Sequence, residues 1–173
     1  MDFPRRILGI DPGTRLLGYG MIEAKSAREF AYIECGVIKL DPTLDFDLRL
    51  LALANEVEAL IREFEPRELA IECAFHGQNA SSALKLAEAR GAIKVQALSR
   101  GLRVAQYAPA QVKLVVAGKG RATKAEVIHR AALCFGLRRP PASDAADALA
   151  LALCQAIIGR EHNSTSAQGP ANA

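Results

Sequence analysis

The chain has 173 residues, half of them apolar and 24% charged, with a net charge of +3. This is a globular composition, and the length allows one domain with a sizeable core but not two large ones. No apolar run approaches spanning length, and the opening Met1-Asp2-Phe3-Pro4-Arg5-Arg6 leads into none long enough for a signal peptide, so no membrane role is expected.

In chain order, the first element is Ile7-Leu8-Gly9-Ile10, four apolar residues bounded by a Pro12-Gly13 turn signal. They suit a strand buried on both faces, with Asp11 at its tip. Gly18-Tyr19-Gly20-Met21-Ile22 reads as a second strand paired back on the first. Phe30 to Ile38 gives a third, completing an antiparallel meander. After the break at Asp41-Pro42-Thr43, apolar residues from Leu44 to Phe64 recur at helical spacing, with acids opposite, and Pro66 ends that helix. Leu69-Ala70-Ile71 is a short strand ending in Glu72. Because it follows a helical crossover it should lie parallel to its neighbour. If that neighbour is the first strand, Asp11 and Glu72 emerge side by side.

The helix expected from Ser81 to Ser99 is apolar on two sides. Leu84, Ala87, Gly91 and Val95 form one stripe; Leu86, Ala89, Ile93 and Ala97 form another. Such a helix wants two partners, its own sheet and either a later helix or a second subunit. Leu102 to Tyr107 is a fifth strand, Ala110 to Ala117 a helix, and Gly118-Lys119-Gly120-Arg121 a basic loop. Thr123 and Glu126 have the spacing of a capping box for a helix running to about Phe135. Past Pro140-Pro141-Ala142-Ser143, an alanine-rich helix runs to about Ile158. These elements make one domain over residues 1–159, and residues 160–173, which lack apolar periodicity, are expected to form a disordered tail.

Charge is unevenly distributed. Residues 41–72 hold nine acids against three arginines, whereas residues 100–139 hold nine basic residues and one acid, Glu126. The basic half suits a polyanion such as nucleic acid, the plainer alternative being an unevenly charged surface. The cysteines Cys35, Cys73, Cys134 and Cys154 lie far apart without CxxC spacing. That argues against zinc and against disulfides, for reduced, mostly buried thiols in a cytoplasmic protein. His76, His129 and His162 are scattered and fit no nucleophilic arrangement.

The chemistry points to carboxylates. Asp11 and Glu72 end strands, and Asp144 and Asp147 open the last helix at an i,i+3 spacing that puts both on one face. Each has a plainer role: Asp11 as a turn cap, Asp144 as an N-cap, Asp147 as a favourable first-turn charge. Grouped together, four carboxylates would repel one another unless a cation neutralised them. An all-oxygen set suits Mg2+, with Mn2+ able to substitute. Acids of this kind beside a basic surface imply metal-assisted phosphodiester hydrolysis.

The stretches Ile7–Gly20, Glu72-Cys73-Ala74-Phe75, Asn79 with Ser82-Ala83-Leu84-Lys85-Leu86, Gln111-Val112-Lys113 and Asp144-Ala145-Ala146-Asp147-Ala148-Leu149-Ala150 resemble the RuvC family of crossover-junction endodeoxyribonucleases. The resemblance covers residues 6–158 in order. It implies a ribonuclease-H-like α/β fold: a five-stranded mixed sheet, three strands antiparallel and then two parallel, flanked by helices. It also implies a homodimer that resolves Holliday junctions by paired nicks in strands of like polarity, working with a RuvA-RuvB branch-migration complex. By position, Asp11, Glu72 and Asp144 match the family's metal-binding catalytic acids, and Asp147 matches the fourth. Lys113 and Lys124 match basic residues near the scissile phosphate and along the DNA, and Lys119 and Arg121 lie in the loop between them. Phe75 matches an aromatic that meets distorted bases at the junction; its alternative is to fold into the core. The chain departs from the family at Cys73-Ala74, where larger residues are usual, and at His76-Gly77-Gln78.

Two other classes compete. Actin-like ATPases share a Gly-Ile-Asp-x-Gly-Thr opening but need two such domains, for which this chain is too short. A catalytically silent junction-binding module would keep the fold, but a binder of polyanions gains nothing from clustered acids.

Overall fold

A computed structural model describes residues 4–73 and 79–165. Five strands form one sheet: β1 (Arg5–Asp11), β2 (Leu16–Ala24), β3 (Phe30–Lys39), β4 (Glu68–Glu72) and β5 (Arg103–Tyr107). Their spatial order is β3-β2-β1-β4-β5. The first three are antiparallel neighbours, while β4 lies parallel to β1 and β5 parallel to β4. This is the mixed sheet expected from the sequence.

Side-chain alternation along β1 assigns its two faces. Leu8 and Ile10 point into a core built with Leu53, Val57 and Ile61 of α1 (Phe46–Phe64) and Ala89, Ile93 and Ala97 of α2 (Ala80–Ser99). Ile7 points to the other side, where it packs with Leu149, Ala152 and Ala156 of α5 (Ser143–Thr165). Between β5 and α5 the chain forms α3 (Pro109–Ala117) and α4 (Lys124–Cys134), which close over α5 with a second apolar cluster. The sheet is thus covered on both faces, as parallel strands require.

Local chemistry explains the helix ends. Asp45 caps α1 by accepting from the Leu48 amide, and Glu65 stops it in a left-handed conformation, φ 49°, just before Pro66. Asn79 caps α2, accepting from the amides of Ser81 and Ser82. The capping box on α4 is formed: Thr123 Oγ1 accepts from the Glu126 amide at 3.2 Å, and Glu126 accepts from the Thr123 amide at 2.7 Å.

Two expectations change. The last helix does not stop near Ile158: its backbone stays helical to Thr165, six residues into the stretch read as a disordered tail. One glycine in a helix costs only about 1 kcal/mol and no proline lies within residues 160–165, so nothing there forces the helix to stop at Ile158. Residues 166–173 lie outside the described residues. The cysteines are free, as expected, but only Cys154 is fully buried; Cys35 and Cys73 are half-buried and Cys134 is exposed.

Candidate active site

The register of β1 on β4 pairs Ile10 with Ile71, so the next residue on each strand, Asp11 and Glu72, leaves the sheet at the same end. The last helix supplies the other two acids. It begins at Ser143, so Asp144 sits in its first turn and not at its cap, with Asp147 one turn on.

What brings α5 against the strands is the absence of side chains below it. Gly9, two residues before Asp11 on the same face, lies directly under the Ala148 carbonyl, and a Cβ there would collide with it. Gly18, the cross-strand partner of Asp11, lies equally tightly under the Asp144 carbonyl. With Ala145, Ala146 and Ala148 buried on the helix side, backbone meets backbone and the Asp144 and Asp147 carboxylates are delivered to Asp11.

Carboxylate oxygens of Asp11, Asp144 and Asp147 all lie within 4.8 Å of one another. Glu72 stands outside that tight group but lines the same cleft, about 370 Å³, with Asp11, Asp147, Lys113 and Lys124. Val112 of α3 and Val127 of α4 form part of its apolar wall. Burial, then the charges of Asp147, Glu72 and Asp144, pushes the Asp11 carboxyl up to about 7, against the pull of Lys124. Burial and Asp147 likewise raise Glu72, while Lys124 and Arg90 act to lower it. Lys124 forms an ion pair with Asp147, which holds the ammonium above its ordinary range. The pair also lowers Asp147, but burial outweighs it and the net direction for Asp147 is upward. Half-buried acids of which Asp11, Glu72 and Asp147 resist ionisation suit a hard cation, and every donor among them is oxygen.

Of the basic residues singled out by sequence, Lys113 and Lys124 reach the cleft. Lys119 instead bonds Glu126 at 2.6 Å, tying the loop to the start of α4, and Arg121 is exposed on that loop. Phe75 and His76 lie outside the described residues. One contact was not anticipated: Arg90 of α2, 7% exposed, donates through Nε to the Glu72 carbonyl at 2.9 Å and through Nη2 to Gln106 Oε1 at 2.9 Å. A signal was present, since Arg90 falls between Leu86 and Ile93 on the sheet-facing side of its helix, where an exposed arginine has no room.

The sequence pattern of crossover junction endodeoxyribonuclease RuvC matches residues 7–155. The chain belongs to the RuvC family. It is 44% identical over 149 residues to the RuvC of Pelobacter propionicus, covering 86% of this chain and 84% of that one. It is 46% identical over 162 residues to the RuvC of Coxiella burnetii, covering 92% of each. Thermus thermophilus RuvC in complex with a Holliday junction substrate superimposes with a TM-score of 0.86 at 34% identity, over 91% of this chain and 96% of that one. The sheet and its flanking helices are therefore the ribonuclease-H-like fold of RuvC resolvases.

Proposed function

We propose that this chain is a crossover junction endodeoxyribonuclease that resolves four-way DNA junctions with a divalent metal held by Asp11, Glu72, Asp144 and Asp147. The observation that carries this reading is the group of three aspartates within 4.8 Å of one another, two of which, Asp11 and Asp147, line a cleft with Glu72 and two lysines, in a chain of the RuvC family. The likeness to Thermus thermophilus RuvC captured with a Holliday junction supports the choice of substrate. Oxygen-only donors fit Mg2+, with Mn2+ as a substitute. When bound, such ions supply an activated water and charge stabilisation for an in-line displacement at phosphorus.

The chain's own residues do the rest. Asp11 and Glu72, on adjacent parallel strands, form a rigid floor, and α5 brings the other two acids onto it. Lys124 is held at the cleft by Asp147, and Lys113 stands in the neighbouring wall; both would meet a phosphate approaching the acids. Lys119 and Arg121, on the loop before α4, would meet phosphates beyond the cleft, Lys119 by exchanging its bond to Glu126, and the role proposed for Phe75 is stacking on a base unpaired at the junction.

Paired nicks need two such sites facing one junction. The outer stripe of α2 supports a homodimer: Leu84 and Val95 are 66% and 67% exposed, while the inner stripe of Ala89, Ile93 and Ala97 is buried on the sheet. No helix among the described residues is long and apolar enough to cross a membrane. A cytoplasmic setting and a RuvA-RuvB branch-migration partner complete the reading. It is tested by Asp11→Asn, Glu72→Gln and Asp144→Asn, each expected to lower junction cleavage in Mg2+ at least about a thousandfold while junction binding persists. Cleavage by Glu72→Gln at the wild-type rate would refute the site.

A further inference from the structure

We infer that Arg90 is a positioning residue of the metal site, clamping the peptide that follows Glu72 so that the Glu72 carboxylate is presented to the cation. The inference rests on the reading of Glu72 as a metal ligand.

The carbonyl of Glu72 and the amide of Cys73 are opposite ends of one planar peptide unit. Arg90 Nε donates to the first at 2.9 Å, and the second donates to the Tyr107 carbonyl at 2.8 Å. With both ends held, the torsion between the Glu72 α-carbon and that peptide is no longer free, and the direction in which its Cα–Cβ bond leaves the strand is fixed. The clamp matters at this position because Glu72 is the last residue of β4: pairing with β1 has ended at Ile71, and only β5 still holds the strand there.

A helix–sheet tie alone does not explain an arginine here. Ala89, Ile93 and Ala97 already seat α2 on the sheet, and an apolar residue at position 90 would extend that contact without desolvating a charge. The guanidinium is instead aimed at the tips of two strands, Glu72 on β4 and Gln106 on β5. Groups that orient metal ligands from behind are worth roughly 10–100-fold in metal affinity.

The test is Mn2+ binding by titration calorimetry, without DNA, on full-length Arg90→Met and Glu72→Gln beside the wild type. The expected result is a folded Arg90→Met protein whose Mn2+ affinity is weaker by about tenfold or more, with junction binding in the absence of metal unchanged. A purely structural arginine would lower the melting temperature and leave Mn2+ affinity at the wild-type value, which overturns the inference. Should Arg90→Met fail to fold, Arg90→Lys decides. It keeps the charge but cannot span both partners, so a loss of about threefold or more is expected and wild-type affinity refutes the clamp. Glu72→Gln separates the two readings. If it binds Mn2+ like the wild type, the ligand assignment falls and the clamp with it; if it loses affinity while Arg90→Met does not, only the clamp falls.

Discussion

Asp11 holds its proton in the folded chain over a pH range in which the unfolded chain has already lost it. Its carboxyl is pushed from 3.8 up to about 7, first by burial and then by the neighbouring acids. Between those values the folded state binds more protons than the unfolded state, so stability falls as pH rises, and above about 7 the full penalty is present. A bound divalent cation removes that penalty by neutralising the cluster. The metal-free protein is therefore expected to melt at a lower temperature at about pH 8 than at about pH 5.5, and the rise in melting temperature on adding Mg2+ should be larger at the higher pH. Differential scanning fluorimetry over that range, with and without Mg2+, checks both signs. A melting temperature that climbs with pH in the absence of metal would contradict the crowding of the acids.

Helix α5 is the element on which the site depends, and it depends in turn on two glycines. Gly18 faces the Asp144 carbonyl so closely that a single methyl group must displace the helix. Gly18→Ala is expected to destabilise the fold by about 1–3 kcal/mol, the usual range for an overpacked contact. It should also reduce cleavage by two orders of magnitude or more, because misplacing a reacting group by about 1 Å can cost that much. Urea denaturation and a junction-nicking assay measure the two effects. Gly91 on the outer face of α2 provides the contrast: a Cβ there meets nothing, so Gly91→Ala should leave the monomer's stability unchanged or slightly improved.

For the molecule as a whole, β4 carries a different device at each end. Glu72 stands at the cleft, whereas Glu68 is 1% exposed and is held by Arg5 at 2.8 Å, by Arg103 at 2.9 Å and by the Gln155 amide. Gln155 in turn accepts from Tyr107, so one acid ties β1, β4, β5 and α5 together. Glu68→Gln leaves buried guanidinium charge without its counterion and is expected to cost about 3–5 kcal/mol of stability. Mn2+ affinity of the folded protein should stay unchanged, as a calorimetric titration would show. On the opposite face of the sheet, Val95→Glu places a charge in the exposed stripe of α2 without touching the core. The expected outcome is a folded monomer by light scattering that no longer makes paired nicks. A Val95→Glu dimer of wild-type mass would locate the interface elsewhere.

Much of this was legible in the sequence because it is local. The apolar run of β1, helical spacing along α1, the Thr123–Glu126 box and the i,i+3 pair of Asp144 and Asp147 are each contained within a few residues, and each took the form its pattern predicts. The parallel pairing that sets Glu72 beside Asp11 followed from the crossover through α1. Tertiary structure decided what local pattern cannot carry. The closeness of α5 to Gly9 and Gly18 depends on two surfaces far apart in the chain fitting together, and a glycine in a strand does not announce what will lie on it. Arg90 beside the Glu72 carbonyl is likewise a meeting across 18 residues that periodicity marks only as a misplaced charge. Lys119 looked like a free cation until the fold of its loop set it on Glu126. Helical and strand periods report which face of an element is apolar; what that face meets, and at what distance, is a property of the assembled chain.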